Sequence, residues 1–179
     1  MDLKETLVEK NYVFEGRVIK VCNDTYKLPN GENAKREIVE HNGGVCVVAL
    51  TDKDEVLFVR QFRCPYGEIL LEIPAGKLEK GEDPFESGKR ELKEETGATA
   101  ENYIDLGKFY PSPGYCGETI SMYYATGLSF GEQNLDDDEF LKVEKIPLEK
   151  AVEMILNGEI RDGKTQAAIL KVAQIKAKK

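Results

Sequence analysis

Apolar positions along this chain change their period several times, and each change marks an element. Up to about residue 41 the alternation is that of antiparallel strands, with FEGRVIKV and AKREIVEH on either side of the turn Pro29-Asn30-Gly31. This piece has little core of its own. Gly43-Gly44 then opens GVCVVAL, and the turn TDKDE leads to VLFVRQF. Both runs are apolar enough to be central strands. EILLEIPAG is a third apolar segment, followed by one helix and then by the short strands IDLGKFY, SMYYATGL and FLKVEKI. Leu148, Ala151, Val152, Ile155 and Leu156 recur at helical spacing and are closed by Asn157-Gly158, and a last helix runs from about Lys164. The pattern predicts an α+β fold whose helices pack on a mixed sheet.

Composition narrows what such a fold could do. At 179 residues the chain can bury a real core without disulfide or metal staples. No apolar run approaches a membrane span, and MDLKETLVEK lacks the basic-then-apolar design of a signal peptide, so no membrane association and a cytoplasmic location are expected. Cys22, Cys46, Cys64 and Cys116 are scattered with no CxxC, which favours incidental thiols in a reduced compartment. His41 is the only histidine, which excludes zinc chemistry by His clusters and His-dependent triads. Any metal should be hard and oxygen-bound, Mg²⁺ or Mn²⁺. A net charge of −8 opposes binding to a nucleic-acid backbone.

Two motifs are decoys. GEIRDGKT, Gly158 to Thr165, matches a phosphate-cradling loop but follows a helix and carries Glu159 and Asp162, so it reads as a helix-helix turn with Asp162 as N-cap. Gly127 to Gly131 fits G-x-S-x-G with no histidine downstream, and reads as a turn at a strand end.

The stretch from Gly76 to Ala98, GKLEKGEDPFESGKRELKEETGA, is different. Its helix start is signalled by Asp83, Pro84 and Glu86 as a capping box, and its end by Gly97. Phe85, Leu92 and Thr96 share one face, and Glu91 and Glu95 lie beside it, half buried. Arg90 can bridge Glu86 and Glu94 at four-residue spacing, whereas Glu91 and Glu95 lack a basic neighbour on the helix. Carboxylates near a helix C-terminus are disfavoured, and a pair one turn apart repels. A divalent cation reverses both terms. A metal site and a solvated acidic face are both consistent with these residues alone.

The wider spacing is more specific. Gly76, Glu82, Arg90, Glu91, Leu92, Glu94, Glu95 and Gly97 fit G-x5-E-x7-R-E-U-x-E-E-x-G-U, where U is bulky and apolar, except that Ala98 is small at the last position. This resembles the motif of the Nudix hydrolases. LEIPAGKLEKGE, SPGYCGE, the late DDDEF and the β-rich N-terminal piece resemble the ADP-ribose pyrophosphatase branch. The resemblance implies an α/β/α sandwich spanning 43–179 and an N-terminal antiparallel β subdomain, 1–42, exchanged across a homodimer. It implies Mg²⁺-dependent hydrolysis of ADP-ribose to AMP and ribose 5-phosphate. By position, the Ala75 carbonyl with Glu91 and Glu95 would hold the metal. Glu139 would be the base or a further ligand, with Glu94 next in line as base. Arg36, Arg63 and Glu118 would contact substrate, and Glu72 is a weaker candidate for the same pocket. The bland readings are strand-edge charges for the arginines, a turn cap for Glu118 and a solvated loop for Asp136 to Glu139. With no Trp in the chain, no adenine clamp is identifiable. Another nucleoside diphosphate sugar is the rival substrate, and a catalytically silent ligand sensor is the rival class.

Overall fold

A computed structural model describes residues 3–135 and 139–178, and the chain divides into two compact units, Met1–Gly43 with Tyr110–Thr119 and Gly44–Phe109 with Ile120–Lys179. In the first, β1 (Thr6–Glu9), β2 (Tyr12–Glu15), β3 (Ile19–Lys27) and β4 (Asn33–His41) form one antiparallel sheet. β3 is its spine, pairing with β1 and β2 along one edge and with β4 along the other. The segment 110–119 lies against β4, where the Val39 amide donates to Tyr115 O at 2.8 Å and the Gly117 amide to Val39 O at 2.8 Å. Leu7, Val8, Val13 and Phe14 are exposed on β1 and β2.

The second unit contains β5 (Gly44–Ala49), β6 (Glu55–Arg63), β7 (Glu68–Glu72), β8 (Ala75–Lys77), α1 (Pro84–Thr96), β9 (Ala98–Phe109), β10 (Ile120–Phe130), β11 (Leu141–Pro147), α2 (Leu148–Leu156) and α3 (Gly163–Ala177). One sheet runs β8-β5-β10-β9 and is mixed, since β10 is parallel to β5 and antiparallel to β9. The other runs β11-β6-β7. GVCVVAL and VLFVRQF are thus both central strands, but of different sheets.

Alternation along β5 explains the layers. Cys46 and Val48 join a core with Phe58, Ile155, Ile160, Ile169 and Val172, on the side of α2 and α3. Val47 and Ala49 face Leu92 of α1 in a second, smaller core. Both faces of the strand are covered, which is why its apolar run is unbroken. This is the expected sandwich. Ala98 is completely buried in the smaller core, so a short side chain suits this end of the motif.

Some sequence expectations change. EILLEIPAG divides into β7 and β8, the second paired antiparallel with β5, because Pro74 cannot donate within a ladder. The Gly127 to Gly131 run is not a turn: β10 continues to Phe130, with Gly127 at φ +70° and Leu128 still paired to Ala100. Phe85 is 38% exposed and packs edge-on against Tyr103 and Tyr123 at 5.3 and 5.7 Å between ring centres.

Candidate active site

The motif helix begins and ends as its sequence dictates. Asp83 accepts the Phe85 and Glu86 amides at 3.0 and 3.1 Å, Pro84 occupies the first turn, and Gly97 closes the helix at φ +70°. A Cβ at Gly97 would run into the Gly131 carbonyl, so the helix end and the loop after β10 approach as closely as backbones can. The reciprocal half of the capping box is absent, because the Glu86 carboxylate takes Lys89 instead.

Glu91 and Glu95 are 8% and 2% exposed, far more deeply buried than half. For Glu91 the reason is Gly76 on β8, where a Cβ would overlap its carboxylate. Only a glycine lets the strand pass that close. Ala75, whose carbonyl was expected at the metal, pairs with Cys46 of β5, and its amide donates to Glu95 Oε2 at 3.0 Å. Burial pushes the Glu91 carboxyl up against the pull of Arg90. Burial likewise pushes Glu95 up, to about 8, with Glu91 and Glu139 adding to it and the Ala75 amide and Arg63 opposing.

Arg90 departs from the expected ladder. It grips Glu82 through Nε at 3.0 Å and Nη2 at 3.2 Å, and its Nη1 reaches Glu94 at 2.8 Å and Glu91 Oε1 at 2.9 Å. So Glu91 does have a cationic neighbour, but one shared among three carboxylates. The pairing with Glu82 ties the loop before α1 to the helix, which gives that motif position a purpose.

Positive charge falls short of negative charge here. Glu91 has a third share of Arg90, Glu95 has one amide, and half-buried Glu139 adds a further carboxylate whose charge raises both. Two desolvated carboxylates one helical turn apart with incomplete compensation fit a hard divalent cation. Among the described residues no three Asp, Glu, His or Cys side chains are grouped as a metal site by themselves. Asp136, Asp137 and Asp138, from the acidic run named in the sequence, lie outside the described residues.

Beside this pair, Arg63 forms a fork on Glu72, Nε to Oε1 at 2.6 Å and Nη2 to Oε2 at 2.7 Å. Lys164 also donates to Glu72. Burial is the strongest single influence on the Glu72 carboxyl and raises it, yet Arg63 and Lys164 together prevail and hold it below the usual range. Arg36 and Glu118 belong to the first unit. Arg36 holds Glu5 through Nε at 3.0 Å and Nη2 at 2.7 Å, and Glu118 stands 3.5 Å from His41 Nδ1.

Sequence reasoning passed over two sets of residues. The loop after β10 is tied to the end of α1: the Gly131 amide donates to Gly97 O at 2.8 Å, the Asn134 amide to Glu94 O at 3.0 Å, and the Gln133 side chain to Glu95 O. These donors meet carbonyls left over at a helix C-terminus and anchor the segment from Gly131 to Asn134 that follows β10. Lys164 was the second omission, hidden inside a motif rightly rejected as a phosphate loop. Its signal was a lysine two residues after an N-cap and before an apolar helix face.

Known proteins resemble this chain in sequence and in fold. A solved crystal structure of an ADP compounds hydrolase superposes with a TM-score of 0.84 at 22% identity, covering 97% of this chain and 95% of that one, and so shares the fold. The ADP-ribose pyrophosphatase of Bacillus subtilis (strain 168) is 44% identical over 169 residues, 93% of this chain and 91% of that protein. The methanol dehydrogenase activator of Bacillus methanolicus is also 44% identical, over 168 residues with the same shares. The NUDIX domain model matches residues 40–168, the span that holds the glycine at β8, the paired glutamates of α1 and the loop to Glu139, and the chain belongs to the Nudix family.

Proposed function

We propose that this protein hydrolyses the pyrophosphate of ADP-ribose, giving AMP and ribose 5-phosphate, with Mg²⁺ as its cation and Mn²⁺ as a working substitute. The observation that carries this reading is the buried, under-compensated pair Glu91 and Glu95 held against Gly76, in a family member 44% identical to an ADP-ribose pyrophosphatase. Glu91, Glu95 and the Ala75 carbonyl are the groups that would hold the cation. Bound there, it supplies charge neutralisation at the diphosphate and a lowered pKa for water. Glu139 accepts the proton of the attacking water while one phosphorus–oxygen bond of the anhydride breaks, and Glu94 is next in line for that role. Arg63, whose Nε and Nη2 are held by Glu72, offers its Nη1 to a phosphate oxygen. Arg36 and Glu118 are assigned to substrate from their sequence positions alone.

The assembly in this reading is a homodimer. Exposed Leu7, Val8, Val13 and Phe14 on the strands of residues 1–42 give that subdomain an apolar surface to exchange with a second copy, and residues 43–179 are the hydrolase domain. Four free cysteines suit the cytoplasm, and no described helix is long and apolar enough to cross a membrane. The net charge of −8 argues against nucleic acid as substrate or partner. The test is a product assay with purified protein and Mg²⁺ on ADP-ribose, nucleotide sugars, dinucleotide cofactors and capped RNA. AMP and ribose 5-phosphate formed fastest from ADP-ribose support the reading. A faster reaction on another nucleoside diphosphate sugar replaces the substrate, and no turnover on any of them removes the activity.

A further inference from the structure

The rejected phosphate-loop run has another use. It follows α2, and Asp162 caps α3 by accepting the Thr165 amide at 3.0 Å. Thr165 and Lys164 turn to the end of β7. The fully buried Thr165 hydroxyl accepts the Ile73 amide at 3.0 Å, which fixes the backbone one residue beyond Glu72. Lys164, whose side chain is 12% exposed, donates to Glu72 and, at 3.0 Å, to Asp162. Glu72, with a side chain 2% exposed, then receives the fork of Arg63.

Two cations on one carboxylate exceed what neutralising Glu72 requires, since a bidentate arginine alone supplies both charge and hydrogen bonds. Burying the second one costs solvation that Asp162 and Glu72 offset only in this arrangement. Lys164 and the Thr165 anchor on Ile73 hold the Glu72 carboxylate independently of Arg63. The Arg63 fork is set by that fixed carboxylate, and its Nη1 has no hydrogen-bond partner among the described residues.

We propose that Lys164 is a positioning residue for Arg63, acting through Glu72 to set the plane of the guanidinium and present its Nη1 edge to a diphosphate oxygen of the substrate. This rests on the reading of Arg63 as a diphosphate contact. It makes the first turn of α3 part of the substrate site without touching substrate.

Lys164→Met keeps the bulk of the stem and removes the ammonium. KM for ADP-ribose is expected to rise about tenfold with kcat held within about twofold. In an Arg63→Ala background the same substitution should change KM by less than about twofold, because its effect has nothing left to act through. Lys164→Gln retains a donor to Glu72, should fall between wild type and Lys164→Met, and carries the test if the Met variant does not fold. A second readout needs no turnover: solvent exchange of the Arg63 Nε–H, followed by NMR in the substrate-free protein, should be slow in wild type and at least about tenfold faster in the Lys164 variants. An equal KM change in both backgrounds, or unchanged Nε–H exchange, overturns the proposal. Failure of wild type to hydrolyse ADP-ribose defeats the functional reading instead, and the exchange measurement still decides the role of Lys164.

Discussion

Replacing Glu95 with Gln should stabilise the protein in the absence of metal and all but abolish its activity. Gln matches the protonated carboxyl in shape and keeps an acceptor for the Ala75 amide. The folded Glu95 carboxyl sits at about 8 against an ordinary 4.5, so folding favours its protonated form. The stability tied to that proton is fully present below the unfolded value and is lost as pH rises towards the folded one. At pH 7 the interval from 4.5 corresponds to about 3 kcal/mol held against wild type. Burial also raises the neighbouring Glu91 carboxyl, so part of this is shared and the net gain from Glu95→Gln is about 1–3 kcal/mol. For a chain of this length that is about 2–10 °C in melting temperature. The assay is a series of melting curves in chelator from pH 5 to pH 8.5, repeated with Mg²⁺ and set beside turnover. The variant's advantage should be smallest at pH 5 and grow to its maximum near pH 8. Added Mg²⁺ should raise the wild-type melting temperature by mass action and the variant's much less. A variant that melts below wild type in chelator at pH 8, or one whose advantage does not change with pH, would show that Glu95 is placed for folding and refute the reasoning.

Three further outcomes follow from the same geometry. Gly76→Ala adds a methyl group where the Glu91 carboxylate lies, and since that carboxylate ends a flexible side chain, stability should change by no more than about 1 kcal/mol while displacement of Glu91 lowers turnover by about 10²-fold; paired melting and kinetic measurements separate the two. Glu139→Gln should lower turnover by about 10²-fold or more and leave the Mg²⁺-induced melting shift closer to wild type than Glu95→Gln does, and unchanged turnover would move the base to Glu94. Light scattering at micromolar concentration should give a dimer mass, whereas a fully active monomer would remove the exchanged-strand assembly.

The parts of this protein that could be read from sequence are those governed by neighbours in the chain. Asp83, Pro84 and Gly97 bound α1, and Asp162 caps α3, because caps depend on backbone groups within a few residues. The charge pairing could not be read that way. Helical spacing pointed Arg90 at Glu86, yet it turns to Glu82, which precedes the helix and is delivered by a loop whose path no periodicity encodes. The depth of Glu91 was equally hidden, since it depends on a glycine in β8 meeting a helix fifteen residues later along the chain. Glu72 and Lys164 come together through the packing of α3 on the sheet, and in sequence they look like an ordinary strand-end acid and an ordinary helix-start base. Small tertiary contacts of this kind outweigh local preferences of a few tenths of a kcal/mol.

The pairing of β10 with β5 fixes the order in which the second unit can close. Every residue of β5 is buried, and its parallel neighbour begins at Ile120, opposite Gly44. Between the two the chain completes β6, β7, β8, α1 and β9 and then passes through Tyr110–Thr119, a segment of the other unit. Closing so long a loop costs entropy before any contact repays it, which makes the completion of this sheet a late event. A chain interrupted before β10 already contains the whole glutamate helix but leaves one edge of its most apolar strand without a partner. Such an edge recruits strands from other molecules. Fragments ending ahead of Ile120 should therefore aggregate rather than yield a smaller active domain, and release of the C-terminal third from the ribosome should be the point at which the native sheet becomes attainable.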